Sequence, residues 1–291
     1  MIQLIVSDLD GTLLNEKKQM TPRTADAIRQ IQQRGIRFLL NTEREYFDAK
    51  MILDPLGIQC DMICSGGAYI VDQDGQTCHA SYISRDKIEP MLRLFGKYCA
   101  FYEIYSTKGR CILGVPEAYE TYLTSEVFPS MLEEDKNFSM TQEVFDQILA
   151  GTKFYDNIHL LLDENPEIVK ITSRSNDTWK LEQLRNEIQQ MIPELAVSED
   201  SPYGIEVTAI EAQKGIALLE YVKREKLSLR DTLVIGDSLN DYSMLALPYV
   251  RSIAMGNSSW KIKEICEFQT KTNEEDGAAF IFEKLISVSL A

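Results

Sequence analysis

The stretch that most restricts the possible folds comes first. An apolar segment, Met1–Val6, runs directly into Ser7-Asp8-Leu9-Asp10-Gly11-Thr12. Its β-favouring residues read as a strand buried on both faces, which belongs in a parallel sheet. Two carboxylates one residue apart follow at its carboxyl end, where open α/β sheets place their ligands. The two-residue strand period sends Asp8 and Asp10 one way and Leu9 the other. Gly11 permits a tight turn and Thr12 adds a hydroxyl. Such a pair suits a hard metal ion that shares its oxygen ligands with phosphate, and an Asp there can also attack phosphorus covalently. A lone Asp-x-Asp reads more simply as a turn held by Asx hydrogen bonds. Its place straight after a buried strand and before Gly-Thr favours chemistry.

The same grammar continues down the chain. Thr21-Pro22 starts a helix, with Thr as N-cap and Pro at its first position. Ala25, Ile28 and Ile31 form its buried face and Gly35 ends it. Ile36–Thr42 is a second strand, and Thr42 at its end also reads as N-cap of a helix from about Glu43 to Leu53. Asp61–Ser65 is a third strand, and Asp74-Gly75 closes a hairpin between Ala68–Val71 and Thr77–Ile83. From Ser84, read as an N-cap, the β-α-β alternation stops. A helix runs to about Tyr98, strands are expected at Phe101–Ser106 and Cys111–Val115, and a tyrosine-rich helix spans about Pro116 to Glu126. Residues 129–153 give no clear pattern. Strands follow at Asn157–Leu162 and Ile168–Arg174, a helix at Thr178–Met191, and strands at Ala196–Ser198 and Gly204–Val207. Helix Gly215–Lys226 and strand Leu233–Gly236 then restore the α/β pattern to the closing helix near Glu275. The expectation is a doubly wound, Rossmann-like, mostly parallel α/β core of residues 1–83 and 209–291, with a large α+β domain of residues 84–208 inserted.

With 291 residues the chain suits two domains. A net charge of −15 opposes binding to nucleic acid or to anionic membranes. No apolar run reaches the ~18 residues of a membrane helix, and the first strand carries the acidic motif rather than a cleavable leader. A cytoplasmic protein is expected. The acidic runs Glu133-Glu134-Asp135 and Glu274-Glu275-Asp276 read as solvated surface or helix-start charge. Six scattered cysteines form no Cys-x-x-Cys pair and are expected to be reduced. The only two histidines, His79 and His159, fall in strand-like stretches and read as structural, and their scarcity argues against Ser-His-Asp catalysis and His-rich metal sites.

A second acidic cluster, Gly236-Asp237-Ser238-Leu239-Asn240-Asp241, ends the strand that restores the α/β pattern. Asp237 can complete a metal site with Asp8, while Asn240 and Asp241 can hold metal-bound water or position Asp237 and Lys214. Lys214 begins its helix and can offer an ammonium to phosphate beside the helix N-terminus.

In this order the segments Asp8-Leu9-Asp10-Gly11-Thr12, Thr42, Lys214-Gly215 and Gly236–Asp241 resemble the four motifs of the haloacid dehalogenase superfamily of phosphatases. The likeness is to its Cof-type group, which carries a large cap domain of the C2B type between the second and third motifs. Ala254-Met255-Gly256-Asn257 and Glu275-Asp276-Gly277-Ala278-Ala279 match locally, and Ser201–Val207 is similar to bacterial Cof-type sugar phosphatases. The resemblance implies hydrolysis of a small phosphorylated metabolite, such as a sugar phosphate, with Mg2+. Asp8 would be the nucleophile that becomes an aspartyl-phosphate, and Asp10 the acid and then the base. Asp8, the Asp10 backbone carbonyl and Asp237 would hold the metal, with Asn240, Asp241, Gly11 and Arg44 in support. Thr42 would bond the phosphoryl oxygens, and Lys214 would neutralise their charge. A phosphotransferase or mutase using the same intermediate, or a weakly active regulatory protein, are the alternatives.

Three positions depart from the family pattern. Thr42-Glu43-Arg44 stands where Thr-Gly-Arg is usual, Gly66-Gly67-Ala68 where Asn-Gly-Ala is usual, and Ser238 where Gly is frequent. A carboxylate at position 43 repels substrate unless it turns away or pairs with Arg44, and is expected to narrow or weaken general phosphatase activity.

Overall fold

A computed structural model describes residues 2–134, 136 and 138–288. Met1 of the expected first strand and Asp135 of the first acidic run lie outside the described residues. The chain divides into two compact units, Met1–Ser81 with Glu211–Ala291, and Tyr82–Ile210.

In the first unit the chain forms β1 (Leu4–Ser7), α1 (Pro22–Gln33), β2 (Arg37–Asn41), α2 (Tyr46–Leu53), β3 (Asp61–Cys64), β4 (Tyr69–Val71) and β5 (Thr77–Ala80). The second unit contributes α3 (Arg85–Lys97), β6 (Glu103–Ser106), β7 (Gly109–Leu113), α4 (Pro116–Tyr122), α5 (Phe128–Glu134), α6 (Gln142–Ala150), β8 (Thr152–Tyr155), α7 (Ile158–Asp163), β9 (Ile168–Arg174), α8 (Thr178–Met191), β10 (Leu195–Ser201) and β11 (Gly204–Ala209). The first unit resumes with α9 (Lys214–Arg224), β12 (Thr232–Gly236), α10 (Tyr242–Leu245), β13 (Arg251–Ala254), α11 (Trp260–Ile265), β14 (Phe268–Gln269) and α12 (Gly277–Val288).

Among the described residues the first unit holds an eight-stranded sheet in the order β14-β13-β12-β1-β2-β3-β4-β5. The pairs from β14 to β3 are parallel, and β4 and β5 turn back antiparallel. From β1 the chain steps one way through β2 and β3, then returns to the other side through β12 and β13. The β1–β12 seam is therefore a topological switch point, where the loops beyond the carboxyl ends diverge and leave a crevice. Ser7 pairs with Ile235 at that seam, so Asp8 and Asp237 emerge side by side.

Period-two alternation builds both faces of the sheet. Ile5, Phe38, Leu40, Leu233 and Ile235 pack with Ala25, Ile28 and Ile31 of α1 and with Phe282 of α12. Leu4, Val6, Leu39 and Val234 pack on the other side with Leu218 and Tyr221 of α9 and Met244 of α10. Thr21 caps α1 as expected, accepting the Thr24 N–H, and the chain leaves through Gly35 at φ +77°.

Among the described residues the second unit carries a six-stranded sheet, β10-β11-β9-β6-β7-β8, antiparallel except for the β7–β8 pair. Ile104, Ile171, Ile205 and Val207 pack there with Ile88, Met91 and Phe95 of α3 and Leu184 of α8. The first unit is thus mostly parallel α/β, and the second mostly antiparallel α+β. No described helix is long and apolar enough to cross a membrane.

Several local expectations give way. Asn157–Leu162, read as a strand, is mostly the helix α7, because the Asn157 side chain accepts the N–H groups of His159 and Leu160 and starts a turn. A short apolar run does not by itself separate the two forms. His159 therefore lies on a helix rather than a strand. Ser84 occupies the cap position of α3 without a capping bond, its hydroxyl donating to Asp86 instead. The tyrosine-rich helix runs through a π turn at Leu123–Val127 into α5. The described part of residues 129–153, which give no clear pattern in the sequence, includes the rest of α5, then α6 and the start of β8.

Gly215 sits where α9 meets α10. A Cβ there would run into the Ser243 carbonyl. Alanine improves helix propensity by about 1 kcal/mol, yet overpacking costs about 1–3 kcal/mol. Gly215→Ala should therefore lower the urea midpoint, and a stabilised variant would show that α9 and α10 do not pack this closely.

Candidate active site

The site is assembled at the β1–β12 seam. Asp8 follows β1 directly, with its N–H donating to the Ile235 carbonyl at 3.0 Å, which locks it to the neighbouring strand. Its Oδ1 accepts the Lys214 Nζ at 2.7 Å. The same ammonium donates to Asp241 Oδ1 at 2.7 Å and to Asn240 Oδ1 at 3.2 Å. Lys214 is 1% exposed and Asp241 is fully buried. The other Asp241 oxygen accepts the backbone N–H groups of Asp237 (2.9 Å) and Ser238 (3.1 Å), closing a capping box on the turn after β12. Asp241 thus positions both Lys214 and Asp237.

Asp237 lies against Gly11, which turns at φ +75° and whose missing side chain leaves room for that carboxylate. Thr12 Oγ1 donates to Asp237 Oδ1 at 3.2 Å. Ligand oxygens of Asp8, Asp237 and Asp241 all lie within 4.8 Å of one another. Burial, then the charge of Asp241, pushes the Asp8 carboxyl well above its ordinary value against the pull of Lys214. Asp237 is pushed up to about 7, again by burial and then by Asp241, with the Thr12 bond opposing. Burial alone would lower the Lys214 ammonium, but Asp241 and Asp8, with a contribution from Glu43, hold it above its ordinary value. Three carboxylates crowd round one ammonium, so the donor set fits a hard divalent cation such as Mg2+ bound by Asp8 and Asp237. Both Asp241 oxygens are committed to hydrogen bonds.

The Asp10 carboxylate stands apart from this cluster. Arg44 grips it in a fork, Nε to Oδ2 at 2.7 Å and Nη2 to Oδ1 at 2.9 Å, and Lys18 reaches Oδ1 at 3.2 Å. Partial burial pushes its carboxyl up, but the Arg44 hydrogen bonds and charge, helped by Lys18, outweigh this and hold it below its ordinary value.

Thr42 is buried at the end of β2. It does not cap a helix: α2 begins only at Tyr46, because Thr42–Glu45 form a loop. Thr42 Oγ1 accepts the Arg44 N–H at 3.1 Å, while Ser65 and Gly66 donate their N–H groups to the Arg44 and Thr42 carbonyls. The loop after β2 is thereby stitched to the loop after β3.

Sequence reasoning gave no role to Lys18 or Asn257. Asn257 Nδ2 donates to the Gly11 carbonyl at 2.9 Å and reaches Asp237 Oδ2 at 3.4 Å. Its signal was available: it follows β13, the next strand along the same edge, by three residues. Asn41, which the sequence marks only as part of a strand, donates its Nδ2 to the Lys214 carbonyl at 3.1 Å and fixes the start of α9. Neither histidine joins this set: His79 faces Ser81 beyond β5, and His159 belongs to the other unit.

A model of the haloacid dehalogenase-like hydrolases matches residues 5–282 of this chain. The phosphatase YwpJ of Bacillus subtilis is 30% identical over 292 residues, covering 98% of this chain and all (100%) of the relative. The 5-amino-6-(5-phospho-D-ribitylamino)uracil phosphatase YwtE of the same organism is 27% identical, covering 98% of this chain and 99% of its own. Among solved structures, a haloacid dehalogenase-like hydrolase from B. subtilis superposes with a TM-score of 0.79 at 28% identity, covering 97% of this chain and 99% of the other.

Removing the ammonium tests the electrostatics. Lys214→Met leaves Asp8 and Asp241 buried without their counter-charge, a loss of about 3–5 kcal/mol. The denaturation midpoint measured in chelator should fall accordingly; a variant as stable as the parent would mean that the buried carboxylates are not ionised against Lys214.

Proposed function

The chain belongs to the haloacid dehalogenase-like hydrolase family, and from that premise we propose that it is a Mg2+-dependent phosphatase of small phosphate monoesters, sugar phosphates included, acting through an aspartyl-phosphate. The observation that carries this reading is Asp8: a carboxylate at the switch point, bonded through one oxygen to a buried ammonium and flanked by Asp237. Both curated relatives are named as phosphatases, which supports it.

In the first step the second Asp8 oxygen attacks phosphorus and the bond to the leaving alcohol oxygen breaks; Asp10, having first taken up a proton from solvent against the pull of Arg44 and Lys18, delivers that proton to the leaving oxygen. In the second step the Asp10 carboxylate takes a proton from water, which attacks the same phosphorus and releases inorganic phosphate, regenerating Asp8. Arg44 orients Asp10 through both of its oxygens, in the ionised state that the second step uses. Thr42 would donate its hydroxyl to a phosphoryl oxygen, and the Lys214 ammonium, its N–H groups held by Asp8, Asn240 and Asp241, acts on the growing phosphoryl charge, the main quantity to be stabilised, through its field. Asp8 and Asp237, with the Asp10 backbone carbonyl, would hold Mg2+, which when bound neutralises phosphoryl charge as a Lewis acid. Asp241 and Asn257 keep Asp237 in place. The same reading assigns the inserted unit the role of a cap.

A panel of phosphorylated metabolites, with released phosphate as readout, tests the proposal. Release should require Mg2+ and stop with chelator; phosphate moved to a second hydroxyl instead of water would identify a transferase or mutase. Mg2+ should also raise the melting temperature of the parent and not of Asp237→Asn. Asp10→Asn should lose roughly 10²–10⁴ in rate while keeping its fold, as circular dichroism would show. Near-normal turnover by that folded variant would remove Asp10 from the proton transfers.

A further inference from the structure

Two segments that match the family locally, Ala254-Met255-Gly256-Asn257 and Glu275-Asp276-Gly277-Ala278-Ala279, contribute no reacting group. The loops that carry them meet. Gly256 donates its N–H to the Lys271 carbonyl at 2.8 Å, and a Cβ on Gly256 would lie 2.6 Å from the Thr272 nitrogen, so the loops after β13 and β14 run backbone against backbone. Asn257 bridges from there to the site. Its Oδ1 accepts the Asn273 N–H at 3.0 Å, which fixes the amide with Nδ2 on the other side. That Nδ2 donates to the Gly11 carbonyl at 2.9 Å and reaches Asp237 Oδ2 at 3.4 Å. The turn that orients Asn257 is closed by a capping box between Thr272 and Glu275. It also grips the β1–α1 connection at three further points. Asn273 Nδ2 donates to the Leu14 carbonyl at 2.9 Å, Glu274 accepts the Glu16 N–H at 2.6 Å, and Asp276 accepts the Thr21 hydroxyl at 2.6 Å.

We propose that Asn257, oriented by this closing turn, is a positioning residue that sets the cation selectivity of the site, favouring Mg2+ over the larger Ca2+. The inference rests on the phosphatase reading above, in which Asp237 and the Asp10 backbone carbonyl help to hold the ion. Those two groups sit on separate loops, one after β12 and one after β1. A single amide ties the loops together, with one N–H for the Gly11 carbonyl, one residue on from that of Asp10, and one for Asp237. Thr12 holds the other Asp237 oxygen, and Gly11 backs the carboxylate, which is thus restrained at both oxygens. Mg2+ demands near-ideal octahedral geometry at about 2.0–2.1 Å, whereas Ca2+ accepts about six to eight oxygens at about 2.3–2.6 Å in flexible arrangements. Holding the two loops close therefore favours the smaller ion, and slackening them penalises Mg2+ more than Ca2+.

The test is isothermal titration calorimetry of Mg2+ and of Ca2+, each alone on chelator-treated protein. The parent is compared with Asn257→Leu, which keeps the volume and removes both donors, and with Asn257→Ala, which removes them without adding apolar bulk. Circular dichroism in chelator checks that each variant folds. The parent should bind Mg2+ more tightly than Ca2+. In either variant the Mg2+ dissociation constant should rise about tenfold and that of Ca2+ by less than about threefold, and the Mg2+-induced rise in melting temperature should shrink. An equal loss for both ions would leave Asn257 a support without selectivity and overturns the inference. So does a parent without preference, or folded variants that bind as the parent does. In each of these cases Mg2+-dependent phosphate release by the parent leaves the phosphatase reading standing. A parent that binds neither ion overturns both.

Discussion

The Lys214 ammonium, held between Asp8 and Asp241 with almost no access to solvent, is the interaction on which the rest depends. A charge in that position costs several kcal/mol in desolvation unless its partners are placed with good geometry. The partners come from the end of β1 and the turn after β12, and the lysine from the first turn of α9. Three segments distant in the sequence must therefore reach their final places together. The β1–β12 ladder aligns the two carboxylate-bearing ends, Asn41 fixes the start of α9, and Gly215 lets α9 approach α10. What positions the chemistry also holds this part of the fold.

The first unit was largely legible because each of its strong signals has a local cause. Buried strands announce themselves by apolar runs, a Thr-Pro pair starts a helix, and ligands gather beyond strand carboxyl ends. Those rules sufficed to pair Asp8 with Asp237 without any contact information. They did not reveal that Lys214 would spend its three N–H bonds on protein acceptors, or that Asp241 would commit both oxygens. Such assignments depend on which atoms meet in three dimensions, and sequence spacing carries little of that.

The inserted unit was harder to read for physical reasons. Its helices α4 and α5 pass through a π turn, so their apolar residues fall out of a single 3.6-residue period. α7 is only six residues long, and a run of that length fits strand and helix alike until the Asn157 cap is recognised. The late start of α2 has a similar origin: backbone bonds to the loop after β3 hold Thr42–Glu45 out of a helix that their composition would permit.

The departures from the family pattern become intelligible as statements about space. Ser238 sits at φ −122°, an extended conformation that any residue adopts, so glycine is unnecessary there. Its hydroxyl donates to Asn240 Oδ1 at 2.7 Å, and Asn240 in turn accepts from Lys214, so the substitution adds a bond to the lysine's surroundings. Glu43 and Gly66 are coupled through one small volume: a Cβ at Gly66 would overlap the Glu43 carboxylate, so the side chain after the second strand requires a bare Cα after the third. Gly66 also turns at φ +66°, a conformation that favours glycine whatever the space. Two separate demands, one of room and one of backbone, therefore meet at the same position, and both arise from the hydrogen bonds that stitch the two loops together.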